Sequence, residues 1–311
     1  MNNSEYALVL NNVSKCYGSG KCAVKKVDLK VSYGDFFALL GPNGAGKSTI
    51  LGMILSLIRK TSGYIYVHGY DIEKSYYRVR HYIGFMPQEI NLHGFETPMQ
   101  ILVNQAGYFG IKRSKAISYA ENLLTDLDLY SKKDTQVRFL SGGMKRRVMV
   151  ARSLIHKPKV VILDEPTAGV DVEMRHSLWM LMASLNSKGM TVILTTHYLD
   201  EAEKNCNQLA LLNKGEIHIQ SSMKAFLMRT KTETYIFDLI EPIVDYRIKI
   251  SIGDINIIDS MTIEIKVPKD FSLNQIFIEL TKNNIKVSNV KQKTNKLEQA
   301  FANITNIPEG K

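Results

Sequence analysis

The segment Gly41-Pro42-Asn43-Gly44-Ala45-Gly46-Lys47-Ser48-Thr49 restricts the possible folds more than any other part of the chain. It fits G-x-x-x-x-G-K-[ST], a loop whose glycines let successive backbone N–H groups turn inward around phosphate oxygens. Such a loop needs a strand before it and a helix after it. Phe36-Phe37-Ala38-Leu39-Leu40 is a short continuous apolar run, and Ile50, Met53, Ile54, Leu57 and Ile58 then recur at helical spacing. The helix from Thr49 onward turns its positive dipole end toward the same anion. Lys47 reaches the outer phosphates and the Ser48 hydroxyl ligates Mg²⁺.

Strands alternate with helices over about the first 220 residues. Val27, Leu29 and Val31 alternate with polar neighbours as in a half-buried strand, and Tyr64-Ile65-Tyr66-Val67 reads as another. Residues 97–156 are mostly helical. Leu123, Leu127 and Tyr130 form one stripe; Met144, Val148, Ala151 and Ile155 form a second. Val160-Val161-Ile162-Leu163 and Thr191-Val192-Ile193-Leu194 are apolar without alternation, as expected of parallel strands covered on both faces. Met174, Leu178, Leu181, Met182 and Leu185 form the helix face between them. Asn213-Lys214-Gly215 joins two strands of a hairpin. The alternation predicts an α/β fold with a largely parallel sheet.

Several polar residues fall where such a fold carries chemistry. Ligands sit outside the carboxyl ends of the strands in an open α/β sheet. Leu163-Asp164-Glu165-Pro166 closes one buried strand there, placing Asp164 to hold Mg²⁺ and Glu165 to act as base for a water. Either alone is an ordinary strand-end carboxylate; beside a phosphate loop the pair reads as catalytic. His197 follows the next buried strand and can contact a transferring γ-phosphate or orient the water. Gln88 follows Ile83-Gly84-Phe85-Met86-Pro87 and offers an amide oxygen to Mg²⁺ or water. Tyr17 can stack on an adenine ring. Ser141-Gly142-Gly143 opens a helix as an N-cap that can also hold an anion. One molecule has no obvious use for two anion loops, whereas a head-to-tail pair does. Lys145-Arg146-Arg147 on that helix reads, by itself, as a solvated face.

Composition shifts after about Met228. Ile248, Ile250 and Ile252 alternate with polar residues, as do Met261, Ile263, Ile265 and Val267, then Ile285 and Val287. Leu273, Ile276, Phe277 and Leu280 fit one helical face; Leu297, Phe301 and Ile304 fit another. This predicts a small α+β appendage over 226–311, without a chemical motif. The 40 lysines and arginines exceed the 30 acidic residues, giving +10, which favours polyanions in general. The odd set Cys16, Cys22 and Cys206, without metal-ligand spacing, fits reduced thiols. No apolar run approaches the ~20 residues of a membrane-spanning helix. The start, Met1-Asn2-Asn3-Ser4-Glu5, does not read as a signal peptide. The expectation is a cytosolic protein that reaches a membrane only through a partner.

Taken in order, these motifs make the chain resemble the ATP-binding subunit of ABC transporters over about its first 225 residues. Gly41 to Thr49 resembles the Walker A motif, Val160 to Glu165 the Walker B motif with its catalytic glutamate, and Leu140 to Gly143 the family signature. Gln88 resembles the Q-loop glutamine, His197 the switch histidine, Asp171 the D-loop aspartate and Tyr17 the adenine-stacking aromatic. The phrase from Ser141 to Arg147, with Met144 where glutamine is common, is similar to bacterial multidrug (daunorubicin-resistance-like) exporter ATPases. So is the terminal Leu297-Glu298-Gln299-Ala300-Phe301. The whole chain is similar to an enterobacterial-type exporter ATPase that travels with a separate membrane permease. The resemblance implies a P-loop NTPase core over 1–225, a helical subdomain near 89–156, ATP and Mg²⁺ as ligands, and Ser48, Gln88 and Asp164 around the metal. It implies two chains closing on two ATP molecules, each ATP between Walker A of one chain and Ser141, Gly142 and Gly143 of the other. It further implies peripheral placement on the cytoplasmic side of the membrane and no nucleic-acid partner. A soluble ABC ATPase acting on ribosomes or DNA is the alternative. Such proteins usually carry tandem cassettes, a long coiled coil or a zinc insertion, none of which this sequence contains. A module that holds ATP without turnover fits poorly with Glu165 and His197.

Overall fold

The computed structural model describes residues 5–18, 20–228, 232–243, 253–268, 271–292 and Leu297. Two compact units divide it, Met1–Ser222 and Met223–Lys311. The first unit opens with strands β1 (Tyr6–Cys16) and β2 (Cys22–Ser32), then β3 (Phe36–Leu40), helix α1 (Lys47–Ile54), β4 (Ser62–Val67) and β5 (Tyr70–Asp71). Helix α2 (Tyr76–Tyr82), β6 (Ile83–Met86), α3 (Pro98–Tyr108), α4 (Arg113–Asp126) and α5 (Gly142–Leu154) follow. The unit closes with β7 (Val160–Asp164), α6 (Val172–Ser187), β8 (Thr191–Thr195), α7 (Leu199–Asn205), β9 (Gln208–Asn213) and β10 (Glu216–Ser222).

Two sheets result. The larger has the order β10-β9-β3-β8-β7-β6, parallel from β9 to β6 with β10 antiparallel at one edge. Its central strands β3 and β8 are buried at every residue, which explains why neither alternates in polarity. The smaller sheet, β2-β1-β4-β5, is wholly antiparallel. Its strand β2 alternates, with Val27, Leu29 and Val31 buried and the residues between them exposed. The β9–β10 hairpin turns at Lys214 (φ 49°) and Gly215 (φ 84°), the two positive φ values of a type I′ turn.

Helices α3, α4 and α5 enclose a second core of Leu102, Ala106, Ala116, Ala120, Leu124, Val148, Ala151 and Ile155. Of the expected α4 stripe, Leu127 is buried in this core and Leu123 packs against it, but Tyr130 does not join it. Ala116, Ala120 and Leu124 face inward along the helix, whereas Tyr130 is 46% exposed. The helix stops at Asp126, and Asp128 (φ 53°) turns the chain before Tyr130, so helical spacing no longer applies. On α6, Leu178, Trp179 and Met182 are buried while Met174, Leu181 and Leu185 are half-buried. Cysteine state also differs from expectation. Cys16 and Cys22 are register partners at the β1–β2 end and form a disulfide, leaving Cys206 as the buried free thiol. The sequence separation of six hides this pairing, because antiparallel register alone brings the two together.

The second unit holds α8 (Met223–Met228), β11 (Thr232–Leu239), β12 (Asp254–Asp259), β13 (Thr262–Pro268), α9 (Leu273–Lys282) and β14 (Val287–Gln292). Its antiparallel sheet has the order β12-β13-β11-β14, the 4-1-3-2 order of a split βαβ unit read from the other edge. Phe237, Ile263, Ile265, Ile276 and Leu280 form its core. A capping box of Ser272 and Gln275 starts α9. Met261 stands outside the β13 pattern, in the turn before it. The expected alternation at Ile248, Ile250 and Ile252, and the helical positions Phe301 and Ile304, lie outside the described residues.

The α4 assignment has a direct test. Leu124→Ala removes a fully buried side chain and should lower stability by about 2–5 kcal/mol. Ile117→Ala, on the exposed side, should stay within about 0.5 kcal/mol. Chemical denaturation of both variants decides the matter; equal losses would contradict this helix face.

Candidate nucleotide site

The loop after β3 is shaped by its glycines. Gly46 caps α1 at φ 111°, and a Cβ there would sit 2.6 Å from the Ala23 carbonyl oxygen. Gly44 has φ 78°. Only glycine adopts such angles without strain. Lys47 opens α1 and is 9% exposed. Its Nζ donates to the carbonyls of Gly41 at 2.6 Å and Pro42 at 3.1 Å. Burial lowers its pKa, while the charges of Glu165 and Asp164 oppose that shift.

Strands β7 and β8 pair in parallel with Asp164 opposite Thr195. The Thr195 hydroxyl donates to Asp164 Oδ1 at 2.5 Å and accepts from the Glu165 backbone N–H at 3.0 Å. Glu165 has φ 46°, a left-handed conformation that a non-glycine residue adopts only when its surroundings enforce it. Its Oε2 accepts from Gln88 Nε2 at 3.0 Å and lies 3.2 Å from His197 Nδ1. Burial pushes the Asp164 carboxyl above the usual carboxylate range. The Thr195 hydroxyl lowers it, Glu165 raises it further, and Lys47 pulls it down.

A cavity of about 620 Å³ gathers these groups. Asn43, Gly44, Gly46, Lys47, Ser48 and Thr49 line it from the loop side; Gln88, Asp164, Glu165 and His197 line it from the strand ends. Ala23 completes the lining. Gly41, Pro42 and Ala45 support the loop from outside the cavity: Gly41 and Pro42 bind Lys47 through their carbonyls, and Ala45 is buried in the core. Tyr17 is also outside it, 46% exposed, with Lys15 Nζ 4.8 Å from its ring centroid.

Four further predicted residues form a separate place. Ser141 caps α5, its Oγ accepting from the Met144 N–H at 3.2 Å. Asp171 caps α6, accepting from the Met174 N–H at 2.8 Å. Ser141, Gly142 and Asp171 are exposed. Gly143 lies against Met174, where a Cβ would meet the methionine Cε at 2.5 Å. None of Ser141, Gly142, Gly143 and Asp171 lines the phosphate-loop cavity of the same chain.

Sequence reasoning missed Thr195, Glu201 and Arg146. Glu201 on α7 accepts from Trp179 Nε1 at 2.7 Å and Thr167 Oγ1 at 3.2 Å, bracing the loop after β7. Arg146, expected on a solvated face, is 7% exposed. The chance to find Thr195 lay in Thr195-Thr196-His197, two hydroxyls directly after an apolar run. Arg146 left no signal, since periodicity does not show which charged neighbour of a buried stripe turns inward.

The sequence profile of the ABC transporter family matches residues 24–168. Nod factor export ATP-binding protein I of Rhizobium etli is 42% identical over 209 residues, 67% of this chain and 66% of that protein. Linearmycin resistance ATP-binding protein LnrL of Bacillus subtilis is 32% identical over 306 residues, 96% of this chain and 98% of that protein. The chain belongs to the ABC transporter family. Among solved structures, cbiO1 of Clostridium perfringens, part of the transporter complex cbiONQ, superposes with a TM-score of 0.67 at 27% identity, over 72% of this chain and 92% of that one. The ATP-binding cassette MJ0796, solved as a dimer in a post-hydrolysis state with ADP and Pi, gives 0.63 at 27% identity over 70% and 98%. The fold is thus that of an ABC-type P-loop ATPase, and the protein is an ATP-hydrolysing subunit of this family. Among the described residues no helix is long and apolar enough to cross a membrane.

Thr195→Val keeps the side chain's shape and removes both of its hydrogen bonds. An unsatisfied buried group costs about 1–3 kcal/mol. ATP turnover should fall at least about tenfold at saturating ATP, with the nucleotide dissociation constant nearly unchanged. Wild-type turnover would show that Asp164 and Glu165 do not depend on this hydroxyl.

Proposed function

We propose that the chain powers an exporter, working as a head-to-tail pair attached to a separate membrane permease on its cytoplasmic side. The observation that carries this reading is the split arrangement. Lys47, Asp164, Glu165, Gln88 and His197 converge on one cavity, while Ser141 and Asp171 stand exposed at helix starts outside it. A second chain supplying its Ser141, Gly142 and Gly143 would complete the phosphate shell. The bacterial multidrug (daunorubicin-resistance-like) exporter group is the finer assignment. Its support is the Ser141 to Arg147 phrase and the match along almost the full length of a linearmycin resistance protein.

Magnesium fits the donors present. Ser48, Gln88 and Asp164 supply hydroxyl, amide and carboxylate oxygens, the ligand type of a hard cation, and all three line the cavity. When bound, Mg²⁺ neutralises charge on the terminal phosphate oxygens. Glu165 accepts the proton of the attacking water. Its Oε2 is already turned toward Gln88 and His197, which leaves Oε1 for that proton. His197 turns Nδ1 toward Glu165, which leaves its other ring nitrogen for the γ-phosphate. Lys47 and the loop N–H groups hold the β- and γ-phosphates, and Tyr17 stacks on the adenine. Catalysis comes from positioning and charge stabilisation, as is general for phosphoryl transfer.

The permease contact is a groove of about 570 Å³ next to Gln88. Pro87 and Asn91 flank that glutamine, Leu57, Tyr76 and Phe109 supply apolar walls, and Arg152 holds Asn91 at 2.6 Å. A short permease helix seated there would feel any movement of Gln88.

Glu165→Gln keeps the shape of the base and removes its charge. With ATP and Mg²⁺ it should bind nucleotide, lose at least about a hundredfold in turnover and elute as a dimer on size exclusion. Turnover near wild type would remove Glu165 from the base role. A monomer under those conditions would argue against the paired site, and recovery with ribosomes rather than with a multi-spanning membrane protein would overturn the exporter reading.

A further inference from the structure

Arg146 sits on α5, five residues past the cap Ser141, and it is almost fully buried. A buried guanidinium must find acceptors or destabilise the fold. Arg146 finds two, both backbone carbonyls in the loops that follow β6 and β7. Its Nη1 donates to the Gln88 carbonyl at 3.0 Å and its Nη2 to the Ala168 carbonyl at 2.6 Å.

Those two carbonyls belong to residues that also hold Glu165. Gln88 donates its side-chain amide to Glu165 Oε2 at 3.0 Å. The Ala168 N–H donates to the Glu165 carbonyl at 3.1 Å. Arg146, Gln88, Glu165 and Ala168 therefore form a closed ring of four hydrogen-bonded links. The planar fork of a guanidinium can reach two carbonyls at once, which a point-like ammonium cannot do in the same geometry. Arg147, next along the helix, turns instead to the Leu127 carbonyl and Ser177 Oγ, so the two neighbours have separate tasks.

We infer that Arg146 is a positioning residue for ATP hydrolysis: it clamps the Gln88 and Ala168 backbones around Glu165, so the base is aligned only when its own chain's α5 is seated. The inference rests on the reading of Glu165 as the base. It adds that the helix carrying Ser141 reports its position to the catalytic carboxylate of the same chain, through one side chain. The left-handed backbone of Glu165 is a conformation that such a clamp would help to enforce. Burial lowers the pKa of Arg146 and the nearby Glu165 charge opposes that shift, so the guanidinium feels the carboxylate it helps to place.

The test uses the full chain with Arg146→Lys, Arg146→Gln, Gln88→Ala and the double variant Arg146→Lys/Gln88→Ala. Turnover, KM for ATP, nucleotide affinity and thermal midpoint are measured for each. Arg146→Lys keeps the charge and should still lose about tenfold or more in kcat, with KM within about threefold of wild type. Arg146→Gln, which is shorter and uncharged, should lose at least as much. Because both residues act on one carboxylate, the double variant should lose less than the product of the single losses. A purely structural arginine would lower the folded fraction and leave kcat per folded molecule unchanged. Wild-type kcat in Arg146→Lys, or fully multiplicative losses in the double variant, would overturn the inference. If Arg146→Lys does not fold, Arg146→Gln carries the same comparison. Failure of the base reading is distinct: Glu165→Gln would then remain active whatever Arg146 does.

Discussion

The hydroxyl of Thr195 is the small group on which the site depends most. Parallel pairing of β7 with β8 places it opposite Asp164, and it binds the side chain of one carboxylate residue and the backbone of the next. A one-residue slip in that register would move both carboxylates away from Lys47. The sheet is therefore more than a scaffold here. Its hydrogen-bond ladder sets the separation between two acids and a lysine, and full burial of β8 keeps that ladder from fraying.

The same burial creates a charge problem that a nucleotide would resolve. Lys47 and Asp164 are each pushed toward their neutral forms by desolvation, and each is held partly back by the other. A polyphosphate with a divalent cation would supply counter-charges to both. The remaining anion-ready feature, the exposed Ser141 cap of α5, points to chemistry outside its own cavity. The proposed pairing would bring such a cap to the cavity of a second chain.

Much of this was legible in the residues. The phosphate loop showed because its glycines are required by backbone angles, as at Gly46, where a side chain would collide with Ala23. Strands β7 and β8 showed because burial on both faces removes alternation. What stayed hidden depended on pairing across long separations. The Cys16–Cys22 disulfide follows from antiparallel register, not from spacing. Arg146 looked like surface because its neighbours are basic, although its two acceptors lie 58 and 22 residues away. Tyr130 was wrongly added to the α4 face because the helix ends before it, and a stop set by the turn at Asp128 leaves little trace in apolar periodicity.

The central claim is that no single chain contains a complete hydrolytic site. The most direct measurement is ATP turnover per chain as concentration is lowered through the range where pairs dissociate, with mass monitored in parallel. Turnover per chain should follow the paired fraction and vanish in the monomer. A strictly monomeric preparation that hydrolyses ATP at the full per-chain rate would contradict the account.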